Sequence, residues 1–177
     1  MAAKTNRGRR ARLRFRTLTR WLCYFEKTPV SPDEILLRAI PNTPDYYDNK
    51  MGDWQVDPYA FKPSKNRDTD GMSFYREDFA TPQEVSEDCG HKAGARVARI
   101  RVKQLADLGL TTIVPDPHKE KGRPAGHVYV PGMRFIEKKN LSAEERRERE
   151  RKSVRLAEHA TKNGVYSPAN IPDPVRI

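Results

Sequence analysis

Hydrophobic positions in this chain fall in short, separate patches, and their spacing switches between two periods. Leu18, Trp21, Leu22 and Phe25 recur at i, i+3, i+4 and i+7, which places them on one face of a short helix that Thr17 can cap. The next patch, Glu34 to Ile40, is a nearly continuous apolar run flanked by prolines and predicts a buried strand. Alternation puts Leu36, Arg38 and Ile40 on one face and Ile35, Leu37 and Ala39 on the other. Met72–Arg76 predicts a second strand with Ser73 and Tyr75 sharing a face. Arg96–Val102 predicts a third, with Ala98, Ile100 and Val102 opposite Val97, Arg99 and Arg101. Leu110–Val114 and His127–Val130 predict two more, the last with Val128 and Val130 facing the core.

Helix signals separate these runs. Thr81, Pro82 and Glu84 form a capping-box start, and residues 103–108 predict a short helix stopped by Gly109. Ser142 and Glu145 form a second capping box, opening a helix that runs to about Lys162 and is closed by Gly164. Its interior is mostly charged, so only Val154, Leu156, Ala157 and Ala160 can dock. Residues 41–71 read as a long irregular connection rich in proline, aspartate and aromatic side chains.

The expected fold is a single α+β domain over residues 17–137, with four to six short strands in a twisted, largely antiparallel sheet and short helices against it. A basic arm (1–16), a charged helix (138–164) and a tail (165–177) flank it. Hydrophobic residues make up 36% of the 177 and charged residues 33%, so the core must be small and concentrated. No apolar run approaches the roughly 18 residues of a membrane span. The only cysteines, Cys23 and Cys89, make no disulfide framework, and no Cys/His set has metal-ligand spacing. These features predict a cytoplasmic protein with neither a membrane partner nor a bound metal.

Charge changes the picture. Eight of the 34 basic residues precede Glu26, the first acidic one, leaving 26 basic against 24 acidic residues in the rest. A cationic arm on a nearly balanced body predicts an anionic partner, foremost nucleic acid, with Arg7, Arg9, Arg10, Arg12, Arg14 and Arg16 as phosphate contacts.

A second constellation predicts a pocket. Arg38 sits within an apolar strand, where a charge is costly unless it meets a carboxylate or an anionic ligand. Ser73, Tyr75 and His127 lie on later strands, Glu137 follows, and Trp54, Tyr59 and Phe61 in the long connection can stack on a flat ring. Leu36-Leu37-Arg38, Ala60-Phe61-Lys62-Pro63, Asp70-Gly71-Met72-Ser73-Phe74-Tyr75, Leu108-Gly109-Leu110 with Asp116-Pro117, and Gly126-His127-Val128 resemble a family of small uncharacterised bacterial proteins, across roughly residues 34–132. The order of Arg strand, Ser/Tyr strand and late strand is also similar to ADP-ribosyltransferase-like and RES-type folds. That resemblance implies an NAD-consuming transferase or hydrolase with Arg38, Ser73 or Tyr75, and Glu137 serving NAD. Three functions therefore stand as expectations: a nucleic-acid-associated binding protein, an NAD-using enzyme, and a protein-interaction subunit.

Overall fold

The computed structural model describes residues 29–50, 53–88, 95–116 and 123–168, with the backbone alone for 49, 50, 53 and 54. The basic arm, the helix expected at 17–25 and the side chain of Trp54 lie outside the described residues.

The domain is α+β, built on a six-stranded sheet. The strands in chain order are β1 (Ile35–Pro41), β2 (Tyr47–Lys50), β3 (Asp53–Val56), β4 (Met72–Arg76), β5 (Ala95–Arg101), β6 (Val114–Pro115), β7 (His127–Val130) and β8 (Val165–Tyr166). The large sheet has the order β6-β7-β4-β1-β5-β8 with every pairing antiparallel, and β2 and β3 form a separate hairpin. Among the described residues three α-helices accompany them: α1 (Pro82–Asp88), α2 (Val102–Ala106) and α3 (Ala143–Asn163).

The period-2 alternation of the strands divides the core into two layers. Leu36 and Ile40 of β1, Met72 and Phe74 of β4, Ala98 and Ile100 of β5, and Val128 and Val130 of β7 join one buried cluster. Leu156, Ala157 and Ala160 of α3 complete it, together with Phe61 and Ala60 from a 3-10 turn at Pro58–Phe61. On the opposite face, Leu37 and Val97 pack with Ala80 and Val85, which carries α1 onto the sheet. Burying side chains of this size contributes about 1.5–3 kcal/mol each relative to exposure.

Both capping boxes form. Ser142 Oγ accepts from the Glu145 N–H at 3.1 Å while Glu145 Oε2 accepts from the Ser142 N–H at 2.8 Å. Ahead of α1, Glu84 Oε2 accepts from the Thr81 N–H at 2.7 Å and Thr81 Oγ1 accepts from the Glu84 N–H at 3.3 Å.

Several elements differ from the pattern-based expectation. Residues 41–71 are not wholly irregular, because the β2–β3 hairpin lies within them. Of the expected 110–114 strand only Val114 pairs, in the two-residue strand Val114–Pro115, since the Leu110 N–H bonds back to Leu105 O and closes the turn after α2. On α3, Val154 stays exposed and Ser153 takes the inward position, donating from Oγ to Phe61 O at 3.0 Å. Val165–Tyr166, read from the sequence as the start of a tail, adds an edge strand to β5. Among the described residues no helix is long and apolar enough to cross a membrane.

Candidate functional site

Strand pairing assembles the site. β4 and β7 align Tyr75 with His127 and Ser73 with Tyr129, so Ser73 and His127 are diagonal neighbours on one face. On that face the His127 Nε2 lies 3.2 Å from Ser73 Oγ, and the His127 and Tyr75 rings are 5.2 Å apart between centroids. β6 pairs with β7 on its other side, and the ladder continues as the Asp116 N–H donates to His127 O at 2.9 Å. This brings Asp116 beside the imidazole, whose Nδ1 lies 3.0 Å from the Asp116 main-chain oxygen and 3.3 Å from its Oδ2. Both are acceptors without a proton to give, so they select the tautomer in which Nδ1 carries the proton and Nε2 can accept from the Ser73 hydroxyl.

Arg38 enters from β1. The β1–β4 ladder pairs only Leu36 with Arg76 and Leu37 with Tyr75, whereas β1 pairs with β5 along its whole length. Where β1 and β4 part, the Arg38 guanidinium takes the carbonyl that a neighbouring strand would have bonded: Nη1 donates to Ser73 O at 2.9 Å. Nη1 also pairs with Asp68 Oδ1 at 3.3 Å, and Nε donates to Ala60 O at 3.3 Å. Arg38 is 3% exposed and Asp68 fully buried. Burial pulls the Arg38 pKa below the ordinary guanidinium value, and Asp68 pushes in the opposite direction.

Asp68 is the keystone of this arrangement. Its Oδ1 also accepts from the Ser73 N–H at 3.2 Å, and its Oδ2 accepts from the Ser64 N–H at 2.8 Å. Ser73 is thereby fixed at its N–H, its carbonyl and its hydroxyl.

Arg38, Ser73, Tyr75 and His127 line a cleft of about 190 Å³ together with Ala39, Arg67, Val85, Asp88 and Arg123. The Tyr75 hydroxyl donates to Asp88 Oδ2 at 2.8 Å, and Arg123 Nη1 reaches the same oxygen at 3.3 Å. Burial, reinforced by the hydrogen bond to Asp88, raises the Tyr75 pKa far above that of a free phenol, so Tyr75 stays protonated. Three guanidinium groups and one carboxylate line the cleft, with Arg38 paired to Asp68 beneath it and Arg123 to Asp88.

Arg38 Nη2 is buried and has no hydrogen-bond partner among the described residues. Leaving such a group unmet costs about 1–3 kcal/mol, more for a charged one. Three other buried atoms share that condition, on Ser64, Glu77 and Arg99, but only Arg38 lines the cleft.

The remaining sequence candidates lie elsewhere. Glu137 is about half exposed in a turn, where it pairs with Lys139 at 2.8 Å, and it does not line the cleft. Phe61 is fully buried in the core cluster, which rules out stacking on a ligand in this conformation. Tyr59 is 49% exposed and packs on Tyr46 at 5.2 Å, away from the cleft lining. Sequence reasoning missed Asp68, Asp88, Asp116, Arg67 and Arg123 as parts of the site; the one usable signal was that a buried Arg38 requires a buried carboxylate. No group of three or more His, Cys, Asp or Glu side chains able to hold a metal occurs among the described residues.

Gly126 sets the entry to β7. Its φ is +74°, and a Cβ there would lie 2.7 Å from Phe79 Cβ. Gly126→Ala is therefore expected to destabilise the domain by about 1–3 kcal/mol, through left-handed strain and the clash, read as a lower urea midpoint with an unchanged slope.

Comparison with protein-family models, curated proteins and solved structures gives no match to this chain. The functional reading accordingly rests on the geometry of the cleft.

Proposed function

We propose that the protein is a nucleotide-using enzyme whose cleft receives the phosphate portion of its ligand, with NAD as the dinucleotide that the sequence resemblance implies. The observation that supports this reading is the unpartnered, buried Nη2 of Arg38 at a cleft that also carries Arg67 and Arg123. Guanidinium groups recognise phosphate oxygens through charge-assisted hydrogen bonds. At about 190 Å³ the cleft is smaller than the ~300–1,000 Å³ of a site that encloses a drug-sized ligand, so it takes one anionic portion while the rest lies over the rim. Ser73 and His127 stand beside that portion as the reactive pair, and Tyr75 as a hydroxyl held by Asp88.

The test is binding and turnover of NAD by the full-length chain, followed by calorimetry and by mass spectrometry of the products. Arg38→Lys keeps the charge but loses the planar fork. Losing one charge-assisted bond of about 1.5–3 kcal/mol lowers affinity by about tenfold or more. A folded wild-type protein that neither binds nor converts NAD would overturn the assignment of NAD.

The segregation of charge favours a second function on the same chain. Seven of the eight cations ahead of the first acidic residue fall within residues 1–16, a segment whose charge suits nucleic acid or another polyanion. Such an arm is compatible with the cleft, because it would bring the enzyme to a polyanionic target.

A further inference from the structure

Asp116 next to β6, His127 on β7 and Ser73 on β4 form a row of polar contacts across the sheet. A serine hydroxyl is a weak nucleophile at neutral pH and gains power when an adjacent base takes its proton. That base must lie within hydrogen-bond reach and be held in the right tautomer by a third group. Here Nε2 is 3.2 Å from Ser73 Oγ, and Nδ1 is 3.0 Å from Asp116 O and 3.3 Å from Asp116 Oδ2. His127 is only 7% exposed and Ser73 is pinned through both backbone groups, so neither needs to move far to react. Arg38, ion-paired through Nη1 with Asp68, belongs to the same cleft; its Nη2 has no hydrogen-bond partner among the described residues and suits charge developing on a phosphoryl oxygen.

We propose that Ser73 is a nucleophile toward phosphorus in a phosphoanhydride, with His127 as its general base and Asp116 as the residue that positions His127. The proposal rests on reading the cleft as a phosphate site and adds the bond that is attacked. A carboxylate able to support cleavage at the ribose is not brought in by Glu137, and Asp88, which lines the cleft, is engaged by Tyr75 and Arg123. The phosphoanhydride is the linkage whose oxygens the guanidinium groups of Arg38, Arg67 and Arg123 can engage.

The steps balance as a hydrolysis. Ser73 Oγ bonds to phosphorus, its proton passes to His127 Nε2, and the bridging P–O bond breaks with its electron pair leaving on the departing phosphate. That phosphate takes the proton from His127. Water then attacks the phosphoserine diester, His127 accepts its proton, the P–Oγ bond breaks, and Ser73 recovers the proton.

The experiment is labelling of the full-length protein with diisopropyl fluorophosphate, in which attack by Ser73 forms the Oγ–P bond and expels fluoride. Intact mass and peptide mapping should show one adduct per chain at Ser73. Ser73→Ala should abolish it, and His127→Ala or His127→Gln should slow it by about 100-fold or more while the thermal transition persists. Asp116→Asn should slow labelling at Ser73 by about tenfold or more, and Asp116→Glu should restore part of that rate. An unchanged rate in Asp116→Asn would remove Asp116 from the relay.

Absence of a Ser73 adduct, or labelling indifferent to His127, would overturn the proposal. Binding of inorganic phosphate, measured by calorimetry on wild type and Ser73→Ala, reports separately on the cleft. Phosphate binding without labelling sinks the nucleophile and spares the phosphate site; no phosphate binding sinks both.

Discussion

Asp68→Asn is expected to lower stability by about 3–5 kcal/mol, the range for stripping one partner from a buried ion pair. The substitution preserves volume and removes only the charge and one pair of acceptor lone pairs. Arg38 would then be a buried cation without a counter-ion. The amide makes matters worse, because both carboxylate oxygens now accept: Oδ1 from Arg38 Nη1 and the Ser73 N–H, Oδ2 from the Ser64 N–H. An asparagine must turn its NH2 toward one of those donors, so a donor faces a donor. Against a domain stability of about 5–15 kcal/mol, the loss is a large fraction. Urea unfolding at pH 7 should show a markedly lower midpoint with an unchanged slope.

Arg38→Leu should behave differently, and the contrast separates the structural role of the pair from its ligand role. Without Arg38, Asp68 keeps two backbone N–H donors, which by themselves stabilise a buried carboxylate. Ala60 O and Ser73 O lose a donor, at a cost of about 1–3 kcal/mol if left buried and unmet. Arg38→Leu is therefore expected to destabilise less than Asp68→Asn yet to weaken phosphate binding more, since it removes the group proposed to contact the ligand. The double variant Arg38→Leu/Asp68→Leu removes both charges but also strands the Ser64 and Ser73 N–H groups, so it should not regain wild-type stability. If Arg38→Leu bound phosphate as tightly as wild type, the pair would be a fold fastener only.

The legibility of this architecture followed the strength of the local signal. Ser73, Tyr75 and His127 fell on one face because β4 and β7 alternate cleanly, and the observed strands match the expected 72–76 and 127–130. The β2–β3 hairpin was missed because Tyr-Asp-Asn-Lys and Asp-Trp-Gln-Val carry no apolar alternation; of their described side chains, Tyr47 and Val56 are the ones buried. Asp68 could not be singled out, since six aspartates share the 41–71 connection and only the folded chain brings one beneath Arg38, 30 residues away. The contact of Asp116 with His127 depends on a two-residue strand, too short to announce itself by periodicity. Glu137 was a candidate through its order in the sequence, and order alone does not bring a side chain into a cleft.

Removal of residues 1–16 should flatten the salt dependence of nucleic-acid binding and leave phosphate binding at the cleft unchanged. The deleted segment carries Lys4, Arg7, Arg9, Arg10, Arg12, Arg14 and Arg16 and no acidic residue. Each cation that neutralises a phosphate contributes roughly −0.7 to −0.9 to the slope of log K against log salt. Full engagement of all seven would make the intact chain steeper than the truncated one by about 5–6. Elsewhere the chain is close to balanced, and on α3 the arginines alternate with glutamates and pair with them, as in Arg151–Glu148 and Arg155–Glu158. That pairing leaves the helix a poor substitute for the arm, so the truncated protein should bind weakly as well as with little salt dependence. Fluorescence anisotropy with single- and double-stranded oligonucleotides across a salt series measures both quantities. A truncated chain as salt-sensitive as the intact one would assign the polyanion contact to the folded body, and no binding by the intact chain at low salt would end the nucleic-acid reading while leaving the Arg38 cleft untouched.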